Sequence, residues 1–144
     1  MVDVVVIMNG PETVDADTDT SFGLILAASE RGHRVFHCEV ADVELADGRV
    51  WTRARPALAD EAADPVLSLG AALMLDLGAV DVVLVRTDPP FDLAYLHLTL
   101  VLDHLAGTTL VVNAPGGLRD ANEKLYATRF PDLIPPTIVT ADID

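Results

Sequence analysis

The segment Arg86-Thr87-Asp88-Pro89-Pro90-Phe91-Asp92 holds the side chain best suited to a charged ligand. Arg86 follows the apolar run 82–85, so its guanidinium emerges where a buried strand ends. A guanidinium offers a planar fork of donors that matches a carboxylate or a phosphate. An internal pair with Asp88 or Asp92 fits the spacing equally well. A second polar stretch runs from Asn113 to Lys124, where Gly116 and Gly117 lead into a helix. Free backbone N–H groups at such a start can face an anion. Most paired glycines only shape a turn, and the fuller dinucleotide fingerprint is absent. Along that helix Arg119 with Glu123 and Asp120 with Lys124 are spaced i, i+4, which on a surface is ordinary charge pairing.

Other reactive residue types do not assemble into sites. Asp15, Asp17 and Asp19 imitate the start of a calcium loop, yet Thr20 stands where that loop needs glycine and Leu26 where it needs glutamate. Acids before a helix explain them better. His97 and His104 lie about 10 Å apart along one helix axis, too far to share a metal. His33 and His37 are isolated, and none has a cysteine at metal-site spacing. Cys38 sits inside an apolar run and reads as core.

These residues need a scaffold, and the hydrophobic pattern supplies one. Residues 2–8 form a β-branched run suited to a strand buried on both faces. Thr18 or Asp19 caps a helix whose inner stripe is Phe22, Ile25, Leu26 and Ser29, ended by Gly32. Residues 34–38 form the next strand. Asp47-Gly48, inside residues 43–53, is the strongest short hairpin signal available. Asp64-Pro65 opens a helix expected to reach Leu77 and end at Gly78. Residues 80–85 form a further buried strand. Asp92 caps a helix whose apolar positions are Phe91, Ala94, Tyr95, Leu98, Val101, Leu102 and Leu105. A strand at 110–113, a helix at 118–130 and a short strand at 138–140 complete the pattern. Alternation of strand and helix implies an α/β fold: a doubly wound, mainly parallel sheet with flanking helices and one β-hairpin. Ligands of such sheets bind beyond the carboxyl ends of the strands, here Asn9-Gly10, Arg86 to Asp88 and Asn113 to Gly117.

At 144 residues a single domain spanning residues 1–144 is expected. The chain has 23 Asp and Glu against 9 Lys and Arg, a balance that argues against nucleic acid or an anionic membrane as partner. One cysteine excludes an internal disulfide and fits a reducing compartment. The apolar start is too short to span a membrane and lacks the flanks of a signal peptide, so a cytoplasmic protein is expected.

The ordered set Asp19-Thr20-Ser21-Phe22, Arg31-Gly32-His33, Arg86 to Asp92, Asn113-Ala114-Pro115 and Leu118-Arg119-Asp120-Ala121-Asn122-Glu123-Lys124-Leu125 resembles bacterial glutathione synthetase, collinearly and over nearly the whole chain. The resemblance implies the N-terminal, Rossmann-like pre-ATP-grasp domain of a ligase that joins γ-glutamylcysteine to glycine using ATP and Mg²⁺. In that reaction the dipeptide carboxylate is phosphorylated and the glycine amine then displaces phosphate. It implies Lys124 as a contact to the ATP phosphates, and Arg86, Asp19, Thr20, Ser21 and Asn113 as candidates for the substrate wall. It also implies that metal ligands and most of the nucleotide clamp lie in ATP-grasp domains beyond this chain. No catalytic residue and no metal ligand is therefore expected here, nor ATP or Mg²⁺ bound by this chain alone. Homo-oligomers are common in the family. Thr87 and Ala114 depart from the pattern, since lysine often stands at both places.

Three readings follow. One is a ligase domain or split subunit, inactive alone. Another is a free-standing binding or interaction module that keeps the fold without the reaction. A receiver-like domain ranks below both, because Asn9, Gly10 and Pro11 do not supply the acidic pair that such domains carry after their first strand.

Overall fold

A computed structural model of the chain describes residues 1–88, 90–121, 125–140 and 142. Strand β1, Asp3–Ile7, is buried along nearly all of its length, as its run of valine and isoleucine requires. Helix α1, Thr20–Glu30, starts at Asp19, whose carboxylate accepts from the Ser21 and Phe22 N–H groups at 2.6 and 3.4 Å. It ends just before Gly32, which adopts φ 75°, a conformation that glycine reaches without steric cost. Strand β2, Arg34–Cys38, follows. Strands β3, Val43–Ala46, and β4, Arg49–Ala59, form a hairpin. Its turn residues Asp47 and Gly48 both have positive φ, 51° and 74°, as a two-residue primed turn demands.

Residues 64–77 depart from the expected helix. They form strands β5, Leu67–Leu69, and β6, Leu73–Asp76, both antiparallel to β4. The physical reason lies in β4. Eleven residues long, it offers a second edge of backbone donors and acceptors, and pairing that edge outweighs the local helix signal. Strand β7, Val82–Val85, leads to helix α2, Leu93–Leu102, capped by Asp92, which accepts from the Tyr95 N–H at 2.9 Å. Strand β8, Leu110–Val112, and helix α3, Pro115–Asp120, come last. The helix expected at 118–130 thus begins earlier, with Pro115 in its first turn, and is short. Residues 126–129 form a 3-10 turn instead, and residues 122–124 lie outside the described residues. No strand forms at 138–140, where the apolar residues stay unburied, with Ile138 85% and Val139 55% exposed.

Strands β2, β1, β7 and β8 run parallel in that order, with Phe36, Val5, Val83 and Val111 in register. The antiparallel β4 joins β2 only at Phe36↔Pro56 and His37↔Arg55. The α/β class is as expected, but the sheet is mixed, because β3 to β6 add an antiparallel arm to a four-stranded parallel core. Alternate residues of β1 enter opposite layers. Val5 and Ile7 pack with Leu98 and Leu102 of α2, whereas Val4 and Val6 pack with Phe22 and Ile25 of α1. Helices therefore cover both faces and leave the carboxyl rim of the parallel strands open.

Candidate functional site

That rim is set by strand register. Ile7 and Val85 are partners, and the Arg86 N–H donates to the Ile7 carbonyl at 2.8 Å. The segments after β1 and β7 therefore leave the sheet side by side. The amino end of α1 lies against them. Arg86 Nε donates to Ser21 Oγ at 3.3 Å and its Nη2 donates to Thr20 Oγ1. Ser21 is buried, at 4% exposure, so one edge of the guanidinium is anchored within the fold. Neither acid offered by the sequence pairs with Arg86. Asp88 accepts from Asn9 Nδ2 at 3.2 Å, and Asp92 is committed to capping α2.

A cleft of about 280 Å³ opens here, lined among others by Asn9, Asp15, Asp19, Thr20, Arg86 and Asp88. Its guanidinium is held by neutral hydroxyls, and among the described residues no carboxylate forms an ion pair with it, so its charge can be given to a ligand carboxylate or phosphate. Acids on the same walls suit an ammonium. The arrangement matches a molecule carrying both charges better than a polyanion.

Of the residues singled out from sequence, Asp19, Thr20, Ser21 and Arg86 come together. Asn113 does not join them: it is exposed after β8 and does not line this cleft. Lys124 lies outside the described residues, as does Glu123, and with them both i, i+4 pairs. Arg119 bonds Asp103 at 2.7 Å, tying α3 to the end of α2. Sequence reasoning missed Asp15 as a cleft wall and Asn9 with Asp88 as a cross-link. The available signal was position, since Asn9 and Asp88 stand just past the ends of neighbouring strands.

Among the described residues no three His, Cys, Asp or Glu side chains are placed to hold a metal ion. Those residues thus offer no all-protein cage for Mg²⁺. Cys38 is buried, and desolvation pushes its thiol up to about 12, which is core behaviour. No helix among the described residues is long and apolar enough to cross a membrane.

Residues 2–119 match the family model described as prokaryotic glutathione synthetase, N-terminal domain. Glutathione synthetase of Mesorhizobium japonicum is 40% identical over 139 residues, which is 96% of this chain and 44% of that protein. The glutathione synthetase of Shewanella oneidensis is 37% identical over 99% of this chain and 45% of its own length. That of Yersinia pestis is 37% identical over 100% and 46%. The chain thus spans less than half the length of these curated relatives.

Proposed function

Because this chain belongs to the family of prokaryotic glutathione synthetase N-terminal domains, we propose that it forms one wall of the peptide cleft in a ligase joining γ-glutamylcysteine to glycine. The observation that carries the reading is the Arg86 guanidinium, held at the carboxyl rim by the hydroxyls of Thr20 and Ser21. Among the described residues no carboxylate pairs with it. A peptide carboxylate can therefore take its free donors, with a charge-assisted bond stronger than a hydroxyl contact. Asp19 acts indirectly, since capping α1 fixes where Thr20 and Ser21 stand. Asn113 as a substrate contact and Lys124 as an ATP-phosphate contact rest on the family pattern.

ATP and Mg²⁺ would supply the phosphoryl chemistry, held mainly by the portion of the relatives that this chain does not span. On this reading the chain binds and orients the peptide, has no turnover alone, and works in the cytoplasm within a homo-oligomer.

The test mixes this chain with the remaining portion of the Mesorhizobium japonicum relative and follows ATP-dependent phosphate release with γ-glutamylcysteine and glycine. Release is expected from the mixture and from neither part alone. Arg86→Gln should raise the KM for the dipeptide about tenfold or more, the loss of one charged contact, and leave the KM for ATP nearly unmoved. An unchanged dipeptide KM removes Arg86 from the cleft. A mixture of folded parts that releases no phosphate favours the free-standing module.

A further inference from the structure

We infer that the chain carries a second small-molecule site, shaped for a compact zwitterion such as an α-amino acid. It is the cavity of about 420 Å³ that shares the turn Pro11–Thr13 with the Arg86 cleft. Pro11 and Glu12 line this cavity, while Thr13 lines the cleft. The volume falls within the range of roughly 300–1,000 Å³ usual for ligand sites.

Strand pairing builds the cationic side. His37 and Arg55 are direct partners across β2 and β4, so their side chains leave the same face of the sheet, with Arg53 two residues along. Arg53 is engaged by Asp42 at 2.9 and 3.2 Å. Arg55 has no ion pair or side-chain hydrogen bond among the described residues. Glu12 supplies the opposite charge and is likewise without an ion pair there. Its carboxylate lies over Gly10, where an added Cβ would come within 2.3 Å of Glu12 Oε1. A guanidinium and a carboxylate, neither in an ion pair among the described residues, thus line one cavity.

His37 refines the match. It is buried, at 4% exposure, and its Nε2 lies 3.0 Å from the Asn9 carbonyl oxygen. A carbonyl only accepts, so Nε2 carries a proton and is spent on Asn9, which leaves the acceptor role in the cavity to the Glu12 carboxylate. The cavity therefore offers a fork of donors for a carboxylate and acceptors for an ammonium. A phosphate fits poorly, because Glu12, Glu39 and Asp42 share the walls. A bare cation fits poorly too, because Arg53 and Arg55 do. The Arg86 reading does not enter this argument, and either can fail alone.

Amide NMR of this chain, titrated with L-alanine and separately with propionate and with ethylamine, tests the site. Each of the latter two lacks one of alanine's charges. Alanine should shift the amides of Glu12, His37 and Arg55 saturably, and each half-probe should bind at least about tenfold more weakly. Arg55→Gln and Glu12→Gln should each weaken alanine by a similar factor, whereas Arg86→Gln should leave these shifts unmoved. Both substituted side chains are exposed, and the spectrum of each free variant reports whether it folds. Shifts that stay linear, that are confined to the Arg86 cleft, or that match for alanine and propionate overturn the proposal.

Discussion

Cys38 sits in β2 with 1% of its surface exposed, and its pKa rises from 9.0 to about 12. Desolvation is the main cause, and the charges of Asp42 and Glu39 add to it. Near pH 8 such a thiol holds about a thousandth of the thiolate of an ordinary cysteine. Alkylation by iodoacetamide at that pH should therefore run at least about a thousandfold slower in the folded chain than in urea. Comparable rates would mean that the β2 face is open. At this scale the sequence was informative about kind and less so about partner. The apolar neighbours of Cys38 announced core, and the position of Arg86 after a buried strand announced a rim. Which group would hold the guanidinium was not legible, because Asp88, Asp92, Thr20 and Ser21 are all close enough in principle. Three-dimensional placement chose the hydroxyls, while Asn9 and the α2 amino end took the acids.

Elements with a strong local signal were readable to within a residue or two. Asp19 fixed the start of α1 through its cap, and Asp47-Gly48 fixed the β3–β4 turn through positive φ. The segment after Asp64 was misread because it satisfies two periods at once. Val66, Leu69, Leu73 and Leu77 step like a helix, whereas Leu67 and Leu69, then Leu73 and Leu75, alternate like strands. Only the long β4 edge decides between them, and that edge is remote in sequence. The strand reading makes a specific demand. Leu67 is buried at 1% against the α1 side of the sheet, and Leu58, which precedes its β4 partner Ala59 and so faces the other way, is 60% exposed. Leu67→Ala should cost about 2–5 kcal/mol of unfolding free energy in urea, and Leu58→Ala within about 0.5 kcal/mol of nothing. Equal costs at the two positions would contradict this sheet.

Across the whole molecule the formal charge of −14 is a stability term that no single contact reveals. The four ion pairs found among the described residues, Arg34–Asp3, Arg49–Asp76, Arg53–Asp42 and Arg119–Asp103, are all partly solvent-exposed. Pairs exposed in this way contribute little, because water screens them and holding two long side chains together costs entropy. The surplus acids repel one another over distances comparable to the domain itself, and folding brings them closer. Salt separates the two effects by range. Raising ionic strength from about 0.01 M to about 0.15 M shortens the Debye length from roughly 30 Å to roughly 8 Å. Contact pairs lie well inside that shorter length and keep most of their attraction, while the long-range repulsion is largely removed. The folded chain should therefore gain stability with salt, by about 1 kcal/mol or a rise of about 3 °C in Tm, read by thermal melting at fixed pH. A Tm that falls over this interval would mean that the ion pairs, and not the net charge, govern how this acidic domain responds to its solvent.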